Sequence, residues 1–259
     1  MNIIDVNVNL SRWPFRRVKW DETAELVAKL RSHGVTQAWA GSYDGLLHKD
    51  VAGVNARLVD ECRRHGGGLL LPFGSVNLSL PAWEDDVRRC HEDFKMPGIR
   101  LHPNYHGYKL DDPVFKKLLT MAADRGLIVQ LAALMEDERT LHPLVRVPRV
   151  DFAPLATALK ETPKARVVVL NGIGSLRGEP LLRLTATGRV WFDMATLEGV
   201  AGVAGIIQQM PVDRLLFGSH APFFYFDSAL LKIKESALTD AHAKAICEGN
   251  AQALLSAAR

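Results

Sequence analysis

Eight short apolar runs, each followed by a helical pattern, predict an α/β chain folded as one (β/α)8 TIM barrel, with eight parallel strands, outer helices and an extra C-terminal helix. The 259 residues match the roughly 250 that such barrels use as a single unit. No linker or low-complexity tract divides residues 1–259 into two domains. No GxGxxG or GxxxxGK[ST] follows any run, which weakens the case for a Rossmann or P-loop sheet.

The predicted strands are 3–8, 35–40, 69–76, 98–101, 127–134, 166–170, 189–194 and 214–218. They lack polar alternation, as strands do when helices cover both faces of a parallel sheet. The first helix is expected at 21–33, with Leu26, Val27 and Leu30 on one stripe and Gly34 placed to stop it. Helices at 51–65 and 81–94 come next. Asp112-Pro113 then offers a capping carboxylate and a first-turn proline ahead of Val114, Phe115, Leu118, Leu119 and Ala122, and Gly126 ends that helix. The remaining helices are expected at 151–160, 180–186, 197–210, 228–237 and 239–257. The long irregular stretches 10–20, 103–110 and 135–148 all come after strands, and strand C-terminal ends are where barrels build their sites.

With 47% hydrophobic and 24% charged residues the chain can bury a real core. Lys plus Arg exceed Asp plus Glu only by 32 to 29, short of the basic excess that a nucleic-acid partner requires. Cys62, Cys90 and Cys247 lie far apart with no CxxC spacing, so neither a disulfide framework nor a thiolate metal site is expected, and a reduced, cytoplasmic compartment fits. The N-terminus lacks a basic n-region and an apolar h-region, and no stretch approaches the roughly 18 apolar residues of a membrane span. A soluble, unexported protein with no membrane partner is expected.

Several segments resemble the amidohydrolase superfamily, in particular the amidohydrolase-related branch that contains aminocarboxymuconate semialdehyde decarboxylase and pyrone dicarboxylate lactonase. Ile4-Asp5-Val6-Asn7-Val8-Asn9-Leu10 looks like the family's opening strand and Gly98-Ile99-Arg100-Leu101-His102-Pro103 like its fourth. The run from Leu215 to Phe223 looks like its eighth, and Asn250-Ala251 with Leu254 and Leu255 like its closing helix. The resemblance therefore spans nearly the whole chain and implies a site at the barrel mouth.

The departures change the character of that site. The family opens with a His-x-His pair, since residues two apart on a strand point the same way and reach one metal. Asn7 and Asn9 stand there in this chain. Gln130 takes the place of a strand-five histidine, Asn171 lies near that of a strand-six catalytic histidine, and His220 replaces the strand-eight aspartate. Carboxamides are poor ligands for Zn²⁺, so no cofactor is expected in the inherited place. A displaced Zn or Mn site built from His102, His106, His142, His220 and Asp193 is the alternative.

Asn7, Asn9, Gln130, Asn171 and His220 should converge on a polar pocket that suits a small, carboxylated molecule. His220 is either a general acid or base or a structural histidine bonded to one of the amides. His102 either contacts substrate or shapes the turn after strand four. Arg12, Arg16 and Arg17 with Trp13, Phe15 and Trp20 form either an anion clamp or an ordinary rim loop, and Arg100 lies on the fourth strand itself. Asp193 faces the barrel or the helix layer, and Glu198 lies nearby. Cys247 reads as core packing. The run Phe223 to Phe226 is a hydrophobic lid or a homo-oligomer contact.

The leading expectation is a metal-free small-molecule hydrolase or lyase acting on a C–N, C–O or C–C bond. In it His220 moves the proton with Asn171, while Asn7, Asn9, Arg12, Arg100, His102 and Gln130 hold substrate. The alternative is a non-catalytic, ligand-binding pseudoenzyme of the same fold.

Overall fold

The computed structural model describes residues 2–257. Its strands are β1 (Ile3–Leu10), β2 (Val35–Ser42), β3 (Leu70–Pro72), β4 (Gly74–Ser75), β5 (Gly98–Leu101), β6 (Ile128–Ala132), β7 (Arg166–Leu170), β8 (Val190–Asp193) and β9 (Leu215–Leu216). Every pairing is parallel and sequential. The third predicted strand is broken at Phe73 into β3 and β4, which belong to the sheets β1-β2-β3 and β4 through β9. Phe73 N–H still donates to the Ala40 carbonyl at 2.8 Å, so one strand turns from its left neighbour to its right. Val6 N–H to the Phe217 carbonyl (2.9 Å) and Asn9 N–H to the Ala221 carbonyl (2.8 Å) join the last strand to the first. The barrel is closed.

Around it lie α1 (Thr23–Ser32), α2 (Val51–Gly66), α3 (Trp83–Glu92), α4 (Pro103–His106), α5 (Pro113–Asp124), α6 (Leu155–Glu161), α7 (Glu179–Thr185), α8 (Gly202–Ile206), α9 (Phe226–Glu235), α10 (Asp240–Lys244) and α11 (Asn250–Ser256). Leu26, Val27 and Leu30 are buried as their spacing predicts, and Gly34 leaves α1 in the left-handed region at φ 79°. The helix expected at 197–210 shrinks to α8, because Gly199 turns the chain at φ 93° and two further glycines, Gly202 and Gly205, lower the helical propensity of the remaining residues. The closing helix runs through one π turn, Ala245–Gly249, between α10 and α11. Among the described residues no helix is long and apolar enough to cross a membrane.

Most of the core lies between strands and helices, where Cys62, Cys90 and Cys247 sit as free, buried thiols. A second cluster joins Ile4, Val6, Trp39, Phe73, Ile128, Val168 and Leu216 to Ala251 and Leu254 of α11, with Trp39 stacked on Phe73 at 4.8 Å. Residues from this many strands meet only inside a barrel, so this cluster is its apolar floor and α11 its plug. Directly above, the register of β1 on β2 slips between Asp5 and Val8. Such a bulge re-aims side chains, and here it falls on the strand that carries Asp5, Asn7 and Asn9.

Candidate active site

Above that floor the barrel holds a closed polar layer. Arg100, 1% exposed, donates from Nε to Gln130 Oε1 (2.8 Å), from Nη1 to Asn9 Oδ1 (2.8 Å) and the Val8 carbonyl (2.9 Å), and from Nη2 to the Trp39 carbonyl (3.1 Å). Gln130 donates onward to the Val6 carbonyl at 2.8 Å. Asn7 Nδ2 donates to Asn171 Oδ1 (2.8 Å) and Asp193 Oδ2 (2.6 Å), while Asp193 Oδ1 accepts from the Asn171 amide at 2.8 Å. Asp193 therefore faces the barrel.

His220 closes the layer. Its Nε2 lies 2.7 Å from the Met135 carbonyl, which can only accept, so Nε2 carries the proton. Nδ1 then accepts from the amides of Asn171 (3.3 Å) and Asn9 (3.4 Å). Burial lowers the imidazole to about 4, which keeps it neutral near pH 7. Phe223 stacks on the ring and Phe224 meets its edge, whereas Phe226 packs into the core and Tyr225 is exposed. Two of the four aromatic side chains therefore cover His220.

Asn171 and His220 both adopt left-handed backbone, at φ 56° and 59°. Such conformations cost energy for residues other than glycine and cluster at functional sites. His220→Gly is accordingly expected to be about 1 kcal/mol more stable than His220→Ala, measured by denaturant unfolding.

Asn7, Asn9, Arg100, Gln130, Asn171 and His220 are thus brought together, but as partners of one another. His102 lies beside them, fully buried, with neither ring nitrogen hydrogen-bonded, and burial holds it well below 6.5. His106 reaches the Gly45 carbonyl at 3.0 Å through Nε2, leaving Nδ1 without a partner. Arg12 is not brought to the site. Ser11 turns the chain at φ 63° directly after β1, and Arg12 instead pairs with Glu22 in an outer cleft beside α1 and α2. Of its neighbours, Arg17 pairs with Asp21 and Arg16 with the buried Glu136.

Beside the polar layer, at the C-terminal ends of β6, β7 and β8, opens a cavity of about 420 Å³. Asn104, Tyr105, Arg139, Arg149, Arg177 and Glu198 are among its lining residues, with the 133–138 segment and Phe224. This size falls in the range of small-molecule sites. Asn171 alone of the expected site residues borders both the cavity and the layer. Sequence reasoning missed Asp5, although it shares the two-residue spacing of Asn7 and Asn9. It accepts from the Asn7 and Ser219 amides, each at 3.0 Å, and burial raises it to about 7.

The donor set does not fit a divalent ion. The inherited places carry carboxamides already bonded to one another and to a guanidinium. Nor is the displaced set assembled: His142 stacks on Phe15, and among the described residues no three or more His, Cys, Asp or Glu side chains come together as ligands.

A closed parallel barrel with its polar layer and cavity at the strand C-terminal ends has its site where (β/α)8 barrels build theirs. A family model described as Amidohydrolase matches residues 19–256, and the chain belongs to that family. Among solved structures it is similar to 2,6-dihydroxybenzoate decarboxylase from Rhizobium (TM-score 0.75, 12% identity, 98% of each chain covered). It is also similar to the apo form of IDCase from Metarhizium anisopliae (TM-score 0.75, 16% identity, 100% of this chain and 98% of that one). A third is dihydroxybenzoic acid decarboxylase from a Polaromonas species, solved with manganese and 2-nitroresorcinol (TM-score 0.76, 13% identity, 100% and 98% covered). At these identities the likeness establishes the barrel fold. No curated protein sequence matches the chain.

Proposed function

We propose that this protein binds a small carboxylated molecule in the mouth cavity and acts on it as a metal-independent lyase or hydrolase. The observation that carries the reading is the 420 Å³ cavity, which has Asn171 on its wall and Arg139, Arg149 and Arg177 around it. Arg139 and Arg149 are paired with Asp137 and Glu138, whereas no ion pair or hydrogen bond holds Arg177 among the described residues. A free guanidinium beside Tyr105 and Phe224 suits an aromatic carboxylate. The solved relatives named as decarboxylases favour lyase chemistry.

In this arrangement His220 is the proton-handling group and Asn171 connects it to the cavity. The Met135 carbonyl that caps His220 belongs to the same segment that lines the cavity, so moving that segment on ligand entry frees Nε2. Freed Nε2–H then donates toward the ligand, while the nitrogen that can accept a proton is Nδ1, which Asn171 holds on the cavity side. The second reading, a ligand-binding protein without turnover, is favoured by the engagement of both His220 ring nitrogens.

The experiment is a calorimetric titration with a panel of hydroxylated benzoates, 2,6-dihydroxybenzoate included, paired with detection of released CO₂. Binding with turnover supports the lyase. Binding without product for any member moves the protein to the second reading, and no binding by any carboxylate overturns both. Arg177→Ala is expected to weaken binding about tenfold, the loss of one charge-assisted contact.

A further inference from the structure

The misfit between this donor set and a metal has a structural counterpart in Arg100. By resemblance, Asn9 and Gln130 stand where the family places metal-binding histidines. Both turn their side-chain oxygens on the Arg100 guanidinium at 2.8 Å, and the Val8 and Trp39 carbonyls complete four oxygen acceptors around it.

Guanidinium has donors and no acceptor, so its neighbours must present lone pairs. A carboxamide does this and still donates from its other end, as Gln130 does to Val6 and Asn9 to His220. A metal-binding histidine gives its lone pair to the ion and has none left for guanidinium. Amides at these two places therefore accept from a buried guanidinium as metal-bound histidines could not.

Space for that arginine is also provided. A Cβ on Gly41 would lie 2.6 Å from Arg100 Nη1 and 2.8 Å from Cδ and Cζ. Gly41 has no unusual φ, so its missing side chain answers a need for room. Asp193, 0% exposed in the same layer, supplies negative charge nearby.

We propose that Arg100 is this barrel's resident cation: a guanidinium tethered to β5 in the place that the resemblance gives to a divalent ion, with Asn9 and Gln130 as its acceptors. The inference stands apart from the ligand reading, since it is read from the protein without ligand.

The test is thermal unfolding of the full chain, purified without a metal-affinity tag. Wild-type Tm should be indifferent to EDTA and to Mn²⁺. Arg100→Ala should lower it by about 10 °C, and ethylguanidinium should restore roughly half of that loss while ethylammonium, equal in charge but without the planar fork, does not. Failure of ethylguanidinium to rescue, a fall in wild-type Tm with EDTA, or stoichiometric Mn²⁺ uptake by the wild type would each overturn the proposal. If Arg100→Ala yields no folded protein, Arg100→Lys is compared with Arg100→Met. A resident cation makes the lysine variant the more stable, and a methionine variant equal to it or better overturns the assignment.

Discussion

Asn171→Ala is expected to cost the fold about 3 kcal/mol and to abolish ligand binding in the mouth cavity, because it takes a hydrogen-bond partner from three groups at once. The Leu134 carbonyl loses its donor at 2.8 Å, Asn7 loses one of its two acceptors, and His220 Nδ1 loses one of its two donors. A group left unsatisfied costs about 1–3 kcal/mol, which falls on the Leu134 carbonyl, whereas Asn7 keeps Asp193 and His220 keeps Asn9, so those two losses are smaller. Alanine at φ 56° adds strain that asparagine tolerates. Asn171→Gly should recover only that strain. The measurements are urea unfolding of the three proteins and titration of whichever carboxylate the wild type binds. Stability within about 1 kcal/mol of wild type would show that the polar layer does not act as a network.

Asp5→Asn is expected to stabilise the protein at pH 8 and to leave it almost unchanged at pH 4. Burial raises the folded-state carboxyl from 3.8 to about 7 against the pull of its Ser219 and Asn7 hydrogen bonds. Between these two values the unfolded chain has released its proton and the folded chain has not. Stability contributed by Asp5 is thus present at low pH and lost as pH rises toward 7. The full loss is on the order of 4 kcal/mol above pH 7. An asparagine still accepts the two backbone amides through Oδ1 and never ionises. Taking the difference between variant and wild type cancels the opposite trend from His106 and His220, whose folded values fall to about 4 and whose burial therefore costs stability as pH drops below 6.5. A variant less stable than wild type at pH 8 would place an ionised Asp5 among the needed charges of the layer, balancing Arg100.

The two predictions share an origin in how the site is built. The amides at positions 7, 9 and 130 were visible in the sequence, and so was the reason they disfavour a metal. What they bind was not. Arg100 is one residue on a predicted strand until that strand is rolled beside β1 and β6, when its guanidinium meets oxygens from residues 8, 9, 39 and 130. Gly41 likewise carries no local signal, because its role is to leave room for a side chain from another strand. Arg12 failed for a local reason, since the left-handed Ser11 cannot be read from its neighbours' types.

Sequence by itself determined the class of fold, the order of its strands and the amides of the polar layer, since apolar period, capping residues and chain length act through short-range physics and the family's segments recur in order. Tertiary structure alone decided that this layer is sealed, that the cavity lies over β6 to β8, and which residue connects the two. The physical reason is that hydrogen-bond satisfaction is a property of groups brought together from distant parts of the chain. A buried asparagine is identical in sequence whether its amide faces a ligand, a metal or a guanidinium, and only closure of the barrel chooses among them.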